Sequence, residues 1–254
     1  MERPTVKNIT AFLNRLLHVK KIKDASVNGL QVRLSRDREI RTVGFAVDAC
    51  IPTFEQAKKL NADLLVVHHG IKWRPQRNTD LEDRRAAYLK KNSIALYAAH
   101  LPLDLHAEYG NNVHLAKLLD VHGLKRFGMY HGIKIGYAGI FKRTKTLDSL
   151  AAMLNKELKT KCRVLKFGKT NIRSIGIVSG GGGDVLYDAV RAGLDCFLTG
   201  EISLSVWNAA REYGLTVIAA GHYATETCGV RACMPLIEKA FKVKTVFISD
   251  LKKQ

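Results

Sequence analysis

Two adjacent histidines, His68 and His69, end a short apolar run and are followed by Gly70. In open α/β sheets, ligands bind just beyond the carboxyl ends of the strands, so these side chains lie where a site would form. Neighbouring residues of a flat strand point to opposite faces, and one strand therefore could not direct both imidazoles at a single ion. At the turn after the strand, the pair could instead give one nitrogen to each of two metals. The alternative is a pair of buried structural histidines.

Two further histidines are each followed four residues later by a carboxylate: His100 by Asp104, and His222 by Glu226. If the chain forms a helical turn after each strand, both members of a pair share one face. Pro102 makes such a turn less certain in the first pair, although it could also begin one. Mixtures of imidazole and carboxylate suit zinc, iron, manganese, cobalt or nickel, and a carboxylate can bridge two ions about 3.5 to 4 Å apart.

The elements that must position these side chains alternate along the chain. Apolar runs of strand length are separated by helical stripes, which is the pattern of a mostly parallel α/β sheet. The last helix should have a kink or a late start at Pro235. We predict helices at 8–18, 79–91, 111–119, 147–158, 185–192 and 228–241, and strands at 42–47, 94–99, 133–141, 175–178, 194–198, 215–220 and 243–248.

The two halves of the sequence resemble each other. Placing Val43 on Ile175 aligns the segments without a gap at an offset of 132, and the later parts align at 122, with His100 on His222. Any two α/β units share such periodicity to some degree by chance. Two halves packed about a pseudo-twofold axis would bring five side chains together, namely His68, His69, Asp104, His222 and Glu226.

Length and charge narrow the class of protein. The 254 residues allow one large or two modest domains, and we predict lobes at 1–126 and 127–254. Lys and Arg number 41 against 23 Asp and Glu, giving a net charge of +18. This balance favours anionic partners such as nucleic acid, nucleotides or phosphorylated metabolites, although a basic surface also serves solubility. The segment 127–171 is especially basic and forms either a solvated face or a groove for polyanions.

Cysteine content and hydropathy indicate a cytoplasmic protein. The five cysteines are an odd number without a Cys-x-x-Cys pair, so neither a disulfide framework nor a thiolate zinc site is indicated. No apolar run approaches the ~20 residues needed to span a bilayer, and the first residues do not form a secretory signal. We therefore expect no membrane partner.

Six motifs are distributed between residue 28 and residue 226, and thus over nearly the whole chain. They are Asn28-Gly-Leu-Gln-Val32, Ala62-Asp63 to His68-His69-Gly70, Ala98-Ala-His-Leu-Pro-Leu-Asp104, Ser179-Gly-Gly-Gly-Gly183, Leu198-Thr-Gly-Glu201 and Gly221-His-Tyr-Ala-Thr-Glu226. Together these motifs resemble the Nif-three-like family, whose members are also called type 2 homologues of GTP cyclohydrolase I or dinuclear metal-centre proteins.

The resemblance implies two similar, intertwined three-layer α/β/α lobes with a metal cleft between them, in a ring-shaped homohexamer. It also implies two divalent metal ions per subunit, with Glu226 as the bridging ligand. His100 would be an outer hydrogen-bond partner or an occasional ligand. Longer members carry an inserted domain that this chain has no room for, so activities that depend on the insertion are not implied. The implied ligands are His68, His69, Asp104, His222 and Glu226.

Two functions remain open on the sequence. The first is a metal-dependent hydrolase in which a metal-activated water attacks a nucleotide or other phosphorylated substrate. The second is a nucleic-acid-binding or scaffold ring, with DNA as a partner, whose metals are structural. Gly180–Gly183 either cradles an anion at a helix start or forms a tight, closely packed turn, since it lacks the lysine of a P-loop. His114 and His131 are predicted not to bind metal.

Overall fold

The chain forms two compact units in the computed structural model, which describes residues 4–35, 38–74 and 79–249. Unit 1 comprises Met1–Leu103 and Gly229–Gln254, and unit 2 comprises Asp104–Cys228. These units differ from the predicted lobes 1–126 and 127–254, because the C-terminal strand pairs in parallel with the strand Thr42–Asp48 of unit 1. Two α/β units, as the sequence predicts, are therefore present, and unit 1 is built from two segments of the chain.

The helices and strands alternate over most of the chain. The strands are β1 (Gly29–Val32), β2 (Thr42–Asp48), β3 (Leu64–His69), β4 (Ala95–Ala98), β5 (His122–Tyr130), β6 (Ile133–Thr146), β7 (Arg163–Leu165), β8 (Asn171–Val178), β9 (Cys196–Thr199), β10 (Thr216–Ala219) and β11 (Lys244–Phe247). The helices are α1 (Val6–Leu16), α2 (Ile51–Lys59), α3 (Thr79–Lys91), α4 (Leu101–Asp104), α5 (Asn111–Leu118), α6 (Leu147–Leu158), α7 (Leu186–Arg191), α8 (Leu204–Glu212) and α9 (His222–Phe241).

Unit 1 contains a sheet in the order β1-β4-β3-β2-β11, parallel except for β1. Successive side chains of its strands alternate between two apolar cores, so both faces are covered. Phe45 on one face packs with Leu13 of α1 and Ile237 of α9. On the other face, Leu65 packs with Phe54 of α2. Burial of both faces explains why the strands are apolar until their last residues.

Unit 2 contains a sheet in the order β5-β6-β8-β9-β10-β7. Its centre, β8-β9-β10, is parallel, and the flanking strands β6 and β7 are antiparallel to it. Leu115 of α5 and Leu154 of α6 pack against Ile175 and Leu198 of the central strands. Strands β5 and β7 were not predicted, because β5 alternates irregularly in burial and β7 has only three residues.

The register of the two sheets confirms the first part of the duplication. Val43 pairs with Leu64 in unit 1, and Ile175 pairs with Cys196 in unit 2, so both strands keep the offset of 132. For the next strand, Ala98 corresponds to Ala219, which is an offset of 121. The predicted offset of 122 is therefore wrong at this point.

The helix α9 begins at His222, six residues before the predicted start at 228, and Pro235 lies inside it. Its first turn is polar, which hides the helix from a search for apolar stripes. Among the described residues, no helix combines the length and the apolar character that crossing a membrane requires.

Candidate metal centre

Three histidines of unit 1 form a cluster at the carboxyl ends of β3 and β4. We call His68, His69 and His100 the histidine set. The ring centroids of His68 and His69 are 4.6 Å apart, and His100 lies 5.1 Å and 5.6 Å from them. One ring nitrogen of each histidine lies within 4.8 Å of those of the other two. The strand ends at His69, so neighbouring rings converge although residues within a flat strand diverge.

Each ring of the histidine set has its Nδ1 nitrogen placed against an oxygen acceptor. The partner of His68 is the carbonyl oxygen of Ala99 at 3.0 Å, and that of His69 is the Asp48 carboxylate at 2.8 Å. His100 Nδ1 lies 3.0 Å from Asp24. Since a carbonyl or a carboxylate accepts but does not donate, Nδ1 carries the proton. The nitrogen that can coordinate a metal is then Nε2 in all three rings.

Asp24 and Asn28 fix the position of His100. The Asp24 carboxylate, 2% exposed, also accepts hydrogen bonds from the Leu101 backbone and the Asn28 amide. Asn28 Oδ1 in turn accepts the His100 backbone N–H at 2.7 Å. Burial raises the pKa of Asp24, but the hydrogen bond and charge of His100, with the amides of Asn28 and Ser26, outweigh it and lower the pKa. The carboxylate is thus held ionised behind the ring.

Gly70 and Gln31 form the turn that follows the two adjacent histidines. The Gln31 side chain accepts hydrogen bonds from the backbone of Ile71 and Lys72, at 2.7 and 3.1 Å. A Cβ at Gly70 would collide with the Gln31 amide, so glycine is required for this approach. Trp73 covers the cluster, with its ring 5.0 Å from that of His100. The motif around Asn28 therefore supports the site rather than supplying ligands.

Unit 2 brings together the other three predicted ligands, which we call the mixed set: Asp104, His222 and Glu226. Asp104 is 6% exposed and Glu226 is 3% exposed. A carboxylate oxygen of Asp104 lies within 4.8 Å of one of Glu226. His222 begins α9, and its Nε2 lies 3.3 Å from Glu226 Oε1, one helical turn later. The predicted i, i+4 pair is therefore confirmed for His222 and Glu226.

The predicted equivalence of His100 with His222 is wrong. His100 precedes α4, whereas His222 is the first residue of α9. By the register of the sheets, which keeps the offset of 121, the counterpart of His222 is Leu101, and the counterpart of His100 is Gly221, which has φ +89. Only glycine readily adopts that conformation.

Two acid groups flank His222. Glu201 Oε1 lies 3.1 Å from His222 Nδ1, on the opposite side of the ring from Glu226. The hydrogen bond to Glu226 raises the pKa of His222 to about 9, against the effect of burial and with a further contribution from Glu201. This end of unit 2 thus favours a positive charge, as a divalent cation would supply.

Asp104 is oriented by hydrogen bonds within unit 2. Its Oδ1 accepts from Asn111 Nδ2 at 2.8 Å and from Ser179 Oγ at 3.1 Å. Asn112 accepts the Ser179 backbone N–H at 2.7 Å, which fixes the start of the glycine-rich loop. These partners hold one carboxylate oxygen and set the direction of the other.

The glycine-rich loop allows the backbone to approach the mixed set. Gly180 has φ +61, and a Cβ there would collide with the Glu226 carboxylate and lie 3.0 Å from His222 Nε2. A Cβ at Gly200 would lie 2.5 Å from the Gly180 carbonyl oxygen. Because Glu226 is beside the loop, a phosphate there would be repelled. Close packing, rather than an anion cradle, therefore explains Gly180 and Gly182.

The supporting residues were not recognised as such in the sequence. Asp24 and Asp48 act on histidines 76 and 21 residues away, so no local spacing reveals them. Glu201 and Asn28 lie within the quoted motifs, which was a signal for them. His114 bonds the Gly110 carbonyl oxygen within its helix and His131 lies in an exposed turn, and neither belongs to the two sets.

The donor chemistry of both sets fits a divalent transition metal. Imidazole nitrogens with the proton fixed on Nδ1, and buried carboxylates whose second oxygen is oriented, are the usual ligands of zinc, iron, manganese, cobalt and nickel. The structure thus contains groups that could bind a metal ion.

Comparison with known proteins identifies relatives over the full length. A family model described as Duf34/NIF3 (NGG1p interacting factor 3) matches residues 4–253. Proteins named GTP cyclohydrolase 1 type 2 homolog from Pyrococcus abyssi and Pyrococcus horikoshii are each 44% identical, covering 98% and 95% of this chain and 98% and 96% of their own. The crystal structure of TTHA1606 from Thermus thermophilus is 35% identical with a TM-score of 0.85, covering 99% of this chain and 100% of its own.

Proposed function

The chain belongs to the Duf34/NIF3 family, and from that premise we propose that it is a metal-dependent hydrolase acting on a nucleotide or other phosphorylated substrate. The proposed cofactor is a pair of divalent ions per subunit. The proposed ligands are His68, His69, Asp104, His222 and Glu226, with Glu226 as the bridge.

One observation carries the proposal: every ring of the histidine set has Nδ1 against an acceptor. In a histidine that is only structural, either ring nitrogen can be the donor, so three neighbouring rings that all place Nδ1 against an acceptor are unexpected for packing alone. Metal-binding histidines almost always donate their second nitrogen to a carboxylate, carbonyl or water. Ala99, Asp48 and Asp24 supply those acceptors for His68, His69 and His100.

The mixed set supplies the negative charge that the histidine set lacks. Two carboxylates can balance much of the charge of two divalent ions, whereas imidazoles alone leave it uncompensated. When bound, ions of this class act as Lewis acids and lower the pKa of water toward neutrality. The roles of this chain's residues are then to bind and orient: Asn111 and Ser179 direct Asp104, while Glu201 directs His222.

The nature of the substrate is proposed from charge and from the names of the relatives. The curated relatives are named as homologues of GTP cyclohydrolase 1 type 2, and the net charge of +18 favours anionic ligands. Assembly into a homohexamer is part of the same proposal.

Native mass spectrometry with elemental analysis tests the cofactor. We expect two divalent ions per subunit and six subunits per particle, with both ions lost after chelation. Turnover is then measured on a panel of nucleoside triphosphates with zinc, manganese, iron, cobalt or nickel restored, using the chelated protein as the control. Retention of no ion would contradict the metal centre. Full loading without turnover on any nucleotide would contradict the hydrolase and leave a structural role for the metal.

A further inference from the structure

Six basic residues gather at the starting end of the parallel strands of unit 2, which we call the basic end. The predicted basic segment includes five of them, and Arg173 lies just beyond it. They come from the last part of β6, the connection from β7 to β8, and the start of β8. They are Lys142, Arg143, Lys145, Lys166, Lys169 and Arg173.

Strand register places these residues together. In β6, Ile140 pairs with Ser174 and Lys145 pairs with Ile172, with a bulge between them. The bulge, which contains Lys142 and Arg143, therefore lies opposite Arg173.

The connection that contains Lys166 and Lys169 crosses the starts of the neighbouring strands. The backbone N–H of Gly168 and the backbone carbonyl of Lys169 both bond the Thr216 hydroxyl at the start of β10, at 3.2 and 2.7 Å. Lys169 Nζ then reaches Asp195, just before β9. All six cations thus lie at one end of the sheet.

Carboxylates neutralise only part of this charge. Lys166 pairs with Asp148 at 2.9 Å, and Lys169 pairs with Asp195 at 2.6 Å. Helices α7 and α8 also end at this end of the sheet. Helix α7 contributes Arg191, which pairs with Asp188, and helix α8 contributes Arg211 and Glu212. Within the described part of the chain, no acidic group pairs with the other four cations of the basic end, namely Lys142, Arg143, Lys145 and Arg173.

The basic end is too far from the mixed set to hold a substrate there. Arg173 and Ser179 lie six residues apart along β8 and its continuation, which at about 3.3 Å per residue is roughly 20 Å. The Debye length at physiological salt is about 8 Å. The excess charge at this end therefore calls for a separate anionic partner.

We propose that the basic end binds the phosphodiester backbone of nucleic acid. The row from β6 to β10 crosses three gaps between strands, each about 4.8 Å wide, and is thus roughly 14 Å long. Phosphates of a nucleic-acid strand follow one another at about 3.4 Å along the axis, so the row faces about four of them. Contacts to phosphate alone give binding without base-sequence preference.

The salt dependence of binding gives the expected size of the effect. Each neutralised phosphate contributes about 0.7 to the slope of log K against log salt on single strands and about 0.9 on duplex. Four cations predict a slope of roughly −3 to −4, and hence a loss of about 50- to 150-fold in affinity between 50 and 200 mM salt.

The test measures fluorescence anisotropy with labelled single-stranded DNA, duplex DNA and single-stranded RNA of scrambled sequence. The variant Lys142→Gln/Arg143→Gln/Arg173→Gln removes three exposed cations of the basic end. Its matched control, Lys156→Gln/Lys159→Gln/Lys161→Gln, removes three exposed cations from the end of α6 with the same change in net charge. We expect the slope to fall by about 2 to 3 in the first variant only.

Equal losses in the two triple variants would overturn the proposal, since net charge alone would then explain binding. Absence of binding to all three nucleic acids at 50 mM salt would overturn it as well, and so would binding only to vesicles containing phosphatidylserine. Should the triple variant fail to fold, as judged by circular dichroism, the three single variants must each reduce the slope. We expect the chelated protein to bind nucleic acid as tightly as the untreated protein. The outcome of this test is therefore independent of whether the proposed metal centre exists.

Discussion

Asp63 in unit 1 and Asp195 in unit 2 make the same contacts at the starts of their sheets. Asp63 Oδ2 accepts the backbone N–H groups of Arg41 and Thr42, while its Oδ1 pairs with Arg38. Asp195 Oδ2 accepts the backbone N–H groups of the two residues that correspond to them by the offset of 132, and its Oδ1 pairs with Lys169. The framework is therefore duplicated down to individual hydrogen bonds.

The two sheets differ at the carboxyl ends of their parallel strands. Unit 1 presents three imidazoles, each with its acceptor, whereas unit 2 presents two buried carboxylates and one half-buried imidazole beside a glycine-rich loop. The common part positions the strands, and the different parts supply different ligand types. The duplicated fold thus carries different types of donor in its two units, and variants in the two units should behave differently.

Removal of a ligand should have the largest effect. Loss of an outer partner alone typically costs 10- to 100-fold in metal affinity, so loss of a donor atom should cost more than about 100-fold. Glu226→Gln replaces an acceptor oxygen by a donor amide, and His69→Ala removes an imidazole. We expect both variants to lose bound metal.

Tryptophan fluorescence measures that loss. Trp73 lies 5.0 Å from His100, so Co²⁺ or Ni²⁺ bound at the histidine set should quench it. A Trp207→Phe background removes the other tryptophan from the signal. His114→Ala and His131→Ala are the controls and should titrate as the parent does. Full two-metal loading of Glu226→Gln by elemental analysis would contradict a bridging role.

The acceptors behind the histidines should rank by burial. Asp24 is 2% exposed and Asp48 is 46% exposed. In Asp24→Asn, a donor amide would face the donors Leu101 N–H and Asn28 Nδ2, so we expect about 100-fold weaker metal binding. Asp48→Asn can keep one acceptor oxygen toward His69, and its side chain is more exposed to solvent. We therefore expect its metal binding to be only about 10-fold weaker.

Imidazole tautomers give a second measurement for these two variants. In the parent protein, ¹⁵N spectra should show protonated Nδ1 in all three rings of the histidine set, and Asp24→Asn should disturb His100 alone. Equal affinity of the parent and Asp24→Asn for zinc would remove the argument that this carboxylate supports the metal centre through His100.

The extent to which the sequence predicts these features depends on how local each one is. The bounds of α3 and α6 were predicted correctly, because stripes and capping signals are local. The position of His68 and His69 at a strand end was also predicted, since the apolar run stops there. The predicted alignment matched His100 with His222 because the residue types are the same, whereas the strand register, which the sequence does not contain, gives Gly221 as the counterpart of His100. Asp24 was missed because its partner is distant in sequence.

The mixed set of unit 2 should depend on a glycine for its support, whereas the histidine set of unit 1 depends on the carboxylates of Asp24 and Asp48. Gly180 and Gly193 both have φ +61, but a Cβ at Gly193 would meet nothing within 4 Å, whereas one at Gly180 would collide with Glu226. Gly193→Ala should therefore cost about 1 to 2 kcal/mol of unfolding free energy for backbone strain alone. Gly180→Ala should cost about 1 to 3 kcal/mol more and also weaken metal binding.

Urea unfolding and metal titration of the two glycine variants separate the effects. The strain is common to both variants, and only the collision is specific to Gly180→Ala. If the two variants lose equal stability and both keep the metal, the loop does not support the mixed set, and its glycines serve the turn alone.

The smallest effects should come from the duplicated aspartates, where the two units are expected to agree. Asp63→Asn and Asp195→Asn each remove the negative charge that accepts hydrogen bonds from two backbone N–H groups and pairs with a cation. We expect each variant to lose about 1 to 2 kcal/mol of unfolding free energy at pH 7. Asp83→Asn, which changes an exposed carboxylate on α3, is the control and should lie within about 0.5 kcal/mol of the parent.

For Asp195 the effect should also depend on pH. Although burial raises its pKa, the hydrogen bond from Lys169 and the backbone N–H groups of Arg173 and Ser174 outweigh that effect and lower it below 3.8. A group with a depressed pKa stabilises the folded state above its unfolded pKa and loses that contribution as pH falls through its folded pKa. The difference between the parent and Asp195→Asn should therefore be constant from pH 7 to 5 and shrink below about pH 4. A difference that persists undiminished at pH 2 would mean that shape, and not ionisation, makes this aspartate stabilising.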